Sequence, residues 1–450
     1  MGHIVGKDIY RKLGEKIDNT SVRTPWNDAF RDLLVALYTP AEADLVLRMP
    51  YRPSPLARVA AITGMDETAL RPMLETLCGK GLVCDIWEGN EYLYMISPFV
   101  IGFFEFSMMR TGGRLASAQW AELFQRYMFG DTAFLDANFG DAQQVSVMRA
   151  LPHEQAIPQA DHTEILDYEK ASALIEQNTR FAVGLCSCRH EKHHLGTRGC
   201  DVPDVPMETC TSMGPAADFL IRNNFARPID RAEMLDILHR SRDMGFVLST
   251  DNVRQGAGFI CHCCGCCCNL LHGIRTTGYA GILVSSGYIA HCAAETCNGC
   301  GLCAKACPIN AIRLEDMPRP VHVSPDSAPA GPDSPQRGTS PRRQRRAVVD
   351  TSLCLGCGVC ALKCPQQSLH LKKRAQRVFH PEDSFERVIL QCLERGTFQN
   401  LIFDNPNSRT QAFMRGLVGG FLRLSPVKKA LMGDALRSRF LQAIRSATGS

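Results

Sequence analysis

At 450 residues, 45% apolar and 21% charged, the chain is too long for one hydrophobic core and implies about three domains, while a formal net charge of only +4 excludes a field strong enough to gather nucleic acid or membrane from a distance. The opening "MGHIVGKDIYRKLGEKIDN" is too polar for a secretory leader, and the longest apolar stretches fall short of the ~20 residues a spanning helix needs, so the expected location is the cytoplasm. Thiols are kept reduced there, and twenty-two cysteines then argue for metal or redox chemistry rather than a disulfide framework.

Residues 1–110 are expected to form the first domain. Leu56, Val59 and Ala60 open a short helix, Thr63-Gly64 turns the chain, and Leu70, Met73, Leu74 and Leu77 make an i, i+3, i+4, i+7 stripe on a second helix. "LVCDI" and "EYLYMI" around Glu88-Gly89-Asn90 predict a β-hairpin. Together these residues resemble a winged helix-turn-helix, with Pro72 expected to bend the second helix. That helix sets Asp66, Glu67 and Glu75 against Arg71 and Lys80, the wrong sign for phosphate, so a protein-docking or packing role is expected rather than nucleic-acid binding. Cys78 and Cys84 are expected to be buried apolar thiols.

Residues 111–180 are expected to be a helical connector. Residues 181–285 follow as a Cys/His-rich, cluster-binding domain. Its thiols are Cys186, Cys188 and Cys200 in "CSCRHEKHHLGTRGC", Cys210 in "ETCTSMG", and Cys261, Cys263, Cys264, Cys266, Cys267 and Cys268 in "CHCCGCCC". "MGPAADFLIRNN" and "PIDRAEMLDILHRSRDMG" predict amphipathic helices between them, the second capped by Asp230 with Glu233 three residues on. Neighbouring side chains on an extended segment point apart, so adjacent cysteines should not all ligate one cluster. Three chemistries fit these ten thiols: one or two further iron–sulfur clusters, structural zinc, or a dithiol or persulfide relay. Cys263-Cys264-Gly265 also resembles the CCG segments of heterodisulfide reductases, although no cysteine stands in the thirty or so positions before it.

Residues 286–373 carry "CNGCGLCAKACP" and "CLGCGVCALKCP", two copies of C-x2-C-x2-C-x3-C-P. Three close thiolates wrap one cube while the fourth is carried to the other. Cys297, Cys300, Cys303 and Cys364 are then expected to hold one 4Fe-4S cluster, and Cys354, Cys357, Cys360 and Cys307 the second. Glycines 299, 301, 356 and 358 permit the tight wrap, and "SGYIAHC", "AIRLE", "AVVD" and "SLHLKK" predict short flanking strands. The segment resembles a bacterial two-cluster ferredoxin, which implies one-electron transfer; a pair of zinc knuckles is the alternative. An insert at 317–347, rich in Pro, Ser and Arg, is expected to be a disordered loop, its "RRQRR" solvated rather than docked on an acidic partner or nucleic acid.

Residues 374–450 are expected to be helical. Phe385, Val388, Ile389 and Cys392 share a face, with Cys392 buried, and "PVKKALMGDALRSRFLQAIRS" predicts a basic amphipathic helix suited to a partner, its own domain or, less commonly, a membrane surface. The whole reads as an α+β multidomain chain: winged helix, Cys-rich cluster-binding domain, two-cluster ferredoxin fold and helical C-terminus. That order of parts resembles a group of prokaryotic ferredoxin-domain iron–sulfur proteins over nearly the whole chain. The resemblance implies an electron-transfer protein, or an oxidoreductase subunit with a redox partner protein. A catalytic iron–sulfur reductase with an open iron and a redox-responsive DNA-binding regulator are the alternatives. No dinucleotide fingerprint, Walker loop or flavin motif is present to supply electrons directly.

Overall fold

The computed structural model describes residues 2–109, 117–140, 145–200, 205–316, 345–376, 378–433 and 440–442. It is a mixed helix-and-sheet protein, and no helix among the described residues is long and apolar enough to cross a membrane.

Helices Gly2–Asp18, Asp28–Leu37 and Pro40–Arg48 come first. They precede helix Leu56–Thr63, helix Glu67–Gly79 and the hairpin Val83–Glu88 with Glu91–Ile96. Gly64 ends the first helix of the pair in a left-handed conformation, φ 68°, which only glycine adopts without strain. Pro72 lies inside a helix that continues to Gly79. As the sixth helical residue, Pro72 forgoes the one backbone bond that its N–H would make to the Thr68 carbonyl, and the helix runs on past it. Ser54–Pro55 adds a third short strand against Glu91–Ile96. Cys78 and Cys84 are buried.

The region expected to be a helical connector is only partly so. Ser117–Phe129 and Ala133–Phe139 are helices, and Phe124, Tyr127 and Phe134 join Phe30 and Phe99 in one aromatic core, Tyr127 stacking on Phe30 at 4.8 Å. Met148–Leu151, however, is the edge strand of the central sheet. Every residue of that strand is buried, so it carries no alternation that would separate it from a helix.

The central sheet has six strands in the spatial order Met148–Leu151, Val247–Asp251, Phe259–Cys263, Glu208–Met213, Phe181–Leu185 and Ala226–Ile229. Each neighbouring pair is antiparallel. Helices Gly214–Arg222 and Arg231–Met244 connect its strands, the latter capped by Asp230, whose carboxylate accepts from the Glu233 amide at 2.8 Å.

Past the sheet, Tyr288–Cys292 pairs with Leu369–Lys373, and Ile312–Asp316 with Arg345–Val349, both antiparallel. The expected disordered insert lies outside the described residues over 317–344. Its last three positions do not belong to it, because Arg345, Arg346 and Ala347 are paired strand residues, and the final two arginines of "RRQRR" sit on that strand. Helix Ser384–Arg395 buries Ile389, Leu390, Cys392 and Leu393. Helices Gln399–Ile402, Arg409–Leu422 and Ser425–Met432 follow. The expected terminal basic helix is described only to Met432 and again at 440–442, where Phe440 packs on Phe398 at 5.5 Å; the remainder lies outside the described residues.

Candidate metal centres

All twenty-two cysteines are free thiols, and eighteen of them gather in four groups. The first two groups use the paired motifs. Cys297, Cys300, Cys303 and Cys364 line one small cavity with Leu314, Ala347 and Leu369. Cys354, Cys357, Cys360 and Cys307 stand close enough to act on one another electrostatically: burial pushes the Cys357 thiol up to about 12, with Cys354 and Cys307 adding to the rise. The Ala311 amide donates to Cys307 Sγ at 3.2 Å. Gly299, Gly301, Gly356 and Gly358 all have positive φ, from 66° to 84°, so the ligand loops take turns closed to other residues without strain. Four thiols per group, glycine turns and amide donors to sulfur fit a ferredoxin-type pair of iron–sulfur cubes.

The ten upstream thiols divide in two, and adjacency in sequence does not decide the division. Strand Phe259–Cys263 points Cys261 and Cys263 to one face and His262 to the other. Cys210 comes from the neighbouring strand Glu208–Met213, and Cys186 follows strand Phe181–Leu185, next in the sheet. Cys188 lies in the first turn of helix Ser187–His194, and Cys268 caps helix Asn269–Thr277. These six, joined at one wall by Cys264 and Arg189, line a mainly apolar cavity of about 100 Å³ with Phe104, Phe134 and Leu135. The Arg189 amide donates to Cys186, the Asn269 amide to Cys188 and the Leu271 amide to Cys268. Helix N-termini thus face the sulfurs, where their partial positive charge favours thiolates. Within the cavity the sulfurs share protons: hydrogen bonds from Cys261 and Cys268 bring Cys263 down to about 6, whereas bonds to Cys210 and Cys263, with burial, push Cys261 well up. A space so much larger than the ~10–15 Å³ a water needs, lined by thiols and apolar groups, fits a polynuclear metal–sulfur group.

Cys264, Cys266 and Cys267 leave the strand on a turn and meet Cys200, with all four sulfurs within 4.8 Å of one another. Cys266 and Cys267 are sequence neighbours in one group because the segment is a turn there; the rule that neighbours point apart holds for the strand, where it separates Cys263 from His262. Hydrogen bonds from Cys266 and Cys267, together with the Arg189 guanidinium, hold Cys264 well below the ordinary thiol range.

Sequence reasoning missed Arg189. It is fully buried between the two upstream groups, its Nε 3.4 Å from Cys264 Sγ and its terminal nitrogens bonded to Thr209 Oγ1, the Pro206 carbonyl and the His262 carbonyl. Although burial opposes the charge, Cys186, Cys264 and Cys263 hold the guanidinium above its ordinary value. The signal was its place in "CSCRH", next to Cys188. Cys292 was also passed over; burial, then a hydrogen bond with Cys297, pushes it up to about 12 at the rim of the ferredoxin loop. Among the interleaved histidines, His262 also lines the cavity, but its Nε2 is engaged away from the sulfurs. His262 Nε2 meets Thr211 Oγ1 at 3.2 Å, and burial, with Arg189 adding, lowers it to about 3. His190 and His194 meet each other through Nε2 at 2.9 Å.

The ferredoxin loops dock directly on the upstream turn. A side chain at Gly265 would reach Pro308 Cα and Cβ at 3.4 Å, and Arg275 donates to the Pro308 carbonyl at 3.3 Å. The His153 amide donates to the Cys357 carbonyl at 2.9 Å, and the Ser286 amide to the Leu355 carbonyl at 2.9 Å. Cys268 and Cys357 lie in one hydrophobic core, with Cys188, Cys261, Cys263 and Cys307 packed against it.

Comparison with curated proteins and with solved structures gives no match. Residues 296–368 match the family described as the 4Fe-4S dicluster domain, and this segment of the chain is a ferredoxin-type iron–sulfur module.

Proposed function

We propose that the protein is an iron–sulfur electron carrier or the electron-transfer subunit of an oxidoreductase. Its ferredoxin-type module takes one 4Fe-4S cluster on Cys297, Cys300, Cys303 and Cys364 and a second on Cys354, Cys357, Cys360 and Cys307. A further polynuclear cluster is held by Cys186, Cys188, Cys210, Cys261, Cys263 and Cys268. Such clusters, when bound, supply one-electron transfer at potentials set by shielding and hydrogen bonds to sulfur. The chain's own part is to wrap them, exclude water and fix their spacing.

The observation that carries this reading is the shared apolar core, which joins ligand loop Cys307/Cys357 to chamber thiols Cys188, Cys261, Cys263 and Cys268. An isolated carrier would need no such junction. A redox partner protein is supported by an exposed stripe on helix Arg409–Leu422, where Phe413, Leu417 and Phe421 are 72%, 61% and 59% accessible. The winged-helix-like elements of residues 54–96 supply a second docking surface.

Cys300→Ala tests the ligand assignment. It should remove the dithionite-reducible signal of one cluster and about four irons per chain while the remaining signals persist. Unchanged reduction and iron content would refute the assignment.

A further inference from the structure

The four sulfurs of Cys200, Cys264, Cys266 and Cys267 are packed too tightly for a cube. Cys200 lies 3.5 Å from Cys267 and 3.5 Å from Cys266, Cys266 lies 3.5 Å from Cys267, and Cys200 lies 3.9 Å from Cys264. A zinc ion bound tetrahedrally by thiolates at ~2.3 Å sets its sulfurs about 3.8 Å apart, the tetrahedron's edge being about 1.63 times its radius. A four-iron cube carries each thiolate on a separate corner iron and spreads the set much more widely. The chain supplies its own control: among the described residues, neither ferredoxin set brings three sulfurs within 4.8 Å of one another, and the buried six-thiol chamber does not either.

The charge around the site calls for thiolates, and so for a bound metal, rather than four neutral thiols. Arg189 is fully buried and, among the described residues, no carboxylate pairs with it; the nearest anionic partner is Cys264 Sγ at 3.4 Å. A buried guanidinium without an anion is strongly disfavoured. One divalent ion with four thiolates carries two net negative charges, part of which Arg189 offsets; a four-iron cube on four thiolates would carry the same charge, so the choice of zinc rests on the sulfur spacing.

We propose that Cys200, Cys264, Cys266 and Cys267 bind a single tetrahedral zinc ion, a structural centre separate from the iron–sulfur clusters. The ion would tie the loop carrying Cys200 to the turn of residues 264–267, whose Gly265 rests on Pro308. With its four positions filled by protein, the centre would have no site left for substrate. This goes beyond the electron-transfer reading, and the two stand or fall on different measurements.

The experiment is zinc, iron and acid-labile sulfide analysis of the anaerobically purified full chain and of Cys200→Ser/Cys266→Ser, with zinc-edge X-ray absorption on the unaltered protein. Cys266 is exposed and Cys200 half-buried, so the double variant disturbs little of the core. The expected result is one zinc per chain, lost in the variant, with iron, sulfide and the dithionite-reducible signals unchanged. The absorption spectrum should give four sulfurs at ~2.3 Å and no nitrogen or oxygen. Absence of zinc, a mixed nitrogen or oxygen shell, or loss of iron and sulfide in a variant that keeps the wild-type circular dichroism would overturn the proposal. The absorption result decides the matter even if the variant fails to fold. Unchanged iron and sulfide with zinc lost would leave the electron-transfer reading to its own test.

Discussion

Gly356 gives a direct measure of how much the ligand loop depends on its backbone. It lies between Cys354 and Cys357 with φ 67°, and a β-carbon there would fall against the Tyr288 carbonyl and Ser286 Oγ. Gly64 has nearly the same φ, 68°, but open space on all sides. A left-handed alanine costs ~1–2 kcal/mol, of which about 0.4–1 kcal/mol is offset by the smaller entropy of the unfolded chain, so Gly64→Ala should cost about 0.5–1 kcal/mol. Gly356→Ala carries the same strain and must also displace the first residue of strand Tyr288–Cys292, adding roughly 1–3 kcal/mol of overpacking. The extra amount corresponds to roughly 5- to 150-fold in the equilibrium between the closed loop and an opened one. Cluster loss to an iron chelator under anaerobic conditions reads that equilibrium, with thermal unfolding as the companion assay. Gly356→Ala should release about four irons per chain faster by a factor in that range. Gly64→Ala should match wild type in iron release. Equal release rates for the two variants would refute the argument that close approach, rather than φ alone, requires glycine at position 356.

Two further expectations concern the N-terminal helices. Lys16 is buried, donates to the Leu47 carbonyl at 2.9 Å and to the Met49 carbonyl, and is brought down to about 7 by burial and then by Arg415. A base whose folded value is lowered binds fewer protons folded than unfolded, so stability should rise with pH from about 7 towards 10.5. Subtracting the melting profile of Lys16→Met from that of wild type isolates this slope, and a variant with the wild-type slope would exclude Lys16 as its source. Asp404 is 3% exposed and pairs with Arg58 at 2.8 Å and Arg52 at 3.2 Å, tying residues 52–58 to the C-terminal segment. Burial opposes its charge, but the Arg58 hydrogen bond and both arginines hold the carboxylate below its ordinary value, so its contribution is present above pH 3.8 and lost as pH falls through the folded value. Asp404→Asn should cost about 1–3 kcal/mol at pH 7, the arginines being partly exposed, and the gap in melting should close in acid; a gap of equal size at both pH values would refute the electrostatic account.

What could be read from the sequence followed from how locally it was encoded. The paired cysteine motifs set their loops by covalent spacing, and the helices at 56–63 and 67–79 by a stripe of Leu and Val; neither needs knowledge of distant residues. The central sheet escaped because its strands lack the period-two pattern. Val247–Asp251 is "VLSTD" and buried throughout, and Glu208–Met213 is "ETCTSM", where buried Thr and Ser read as loop. Thr211 is satisfied within the sheet, its hydroxyl donating to the Ile260 carbonyl at 2.8 Å, a long-range bond that no local pattern announces. The division of the ten upstream thiols was hidden for the same reason. It depends on where strand Phe259–Cys263 ends, one residue before Cys264, and on Cys200 arriving from sixty-odd positions away.

The end of that strand also organises the protein. Up to Cys263 the side chains alternate, so the thiols of positions 261 and 263 enter the buried chamber. Beyond it the chain turns, and Cys264, Cys266 and Cys267 face Cys200, while Gly265, between them, abuts Pro308. Position 265 must therefore stay small. An alanine there would just touch Pro308, whereas a longer side chain would push the turn away from the residue that follows Cys307. One eight-residue segment thus supplies thiols to the chamber, closes the compact four-sulfur site and sets the distance to the loop of Cys307 and Pro308. On the proposed electron-transfer reading, a rigid turn at this junction would fix the separation between the centres. The density of cysteine in "CHCCGCCC" follows from that geometry: the strand and the turn each need thiols on their own side, and they meet at Cys263-Cys264.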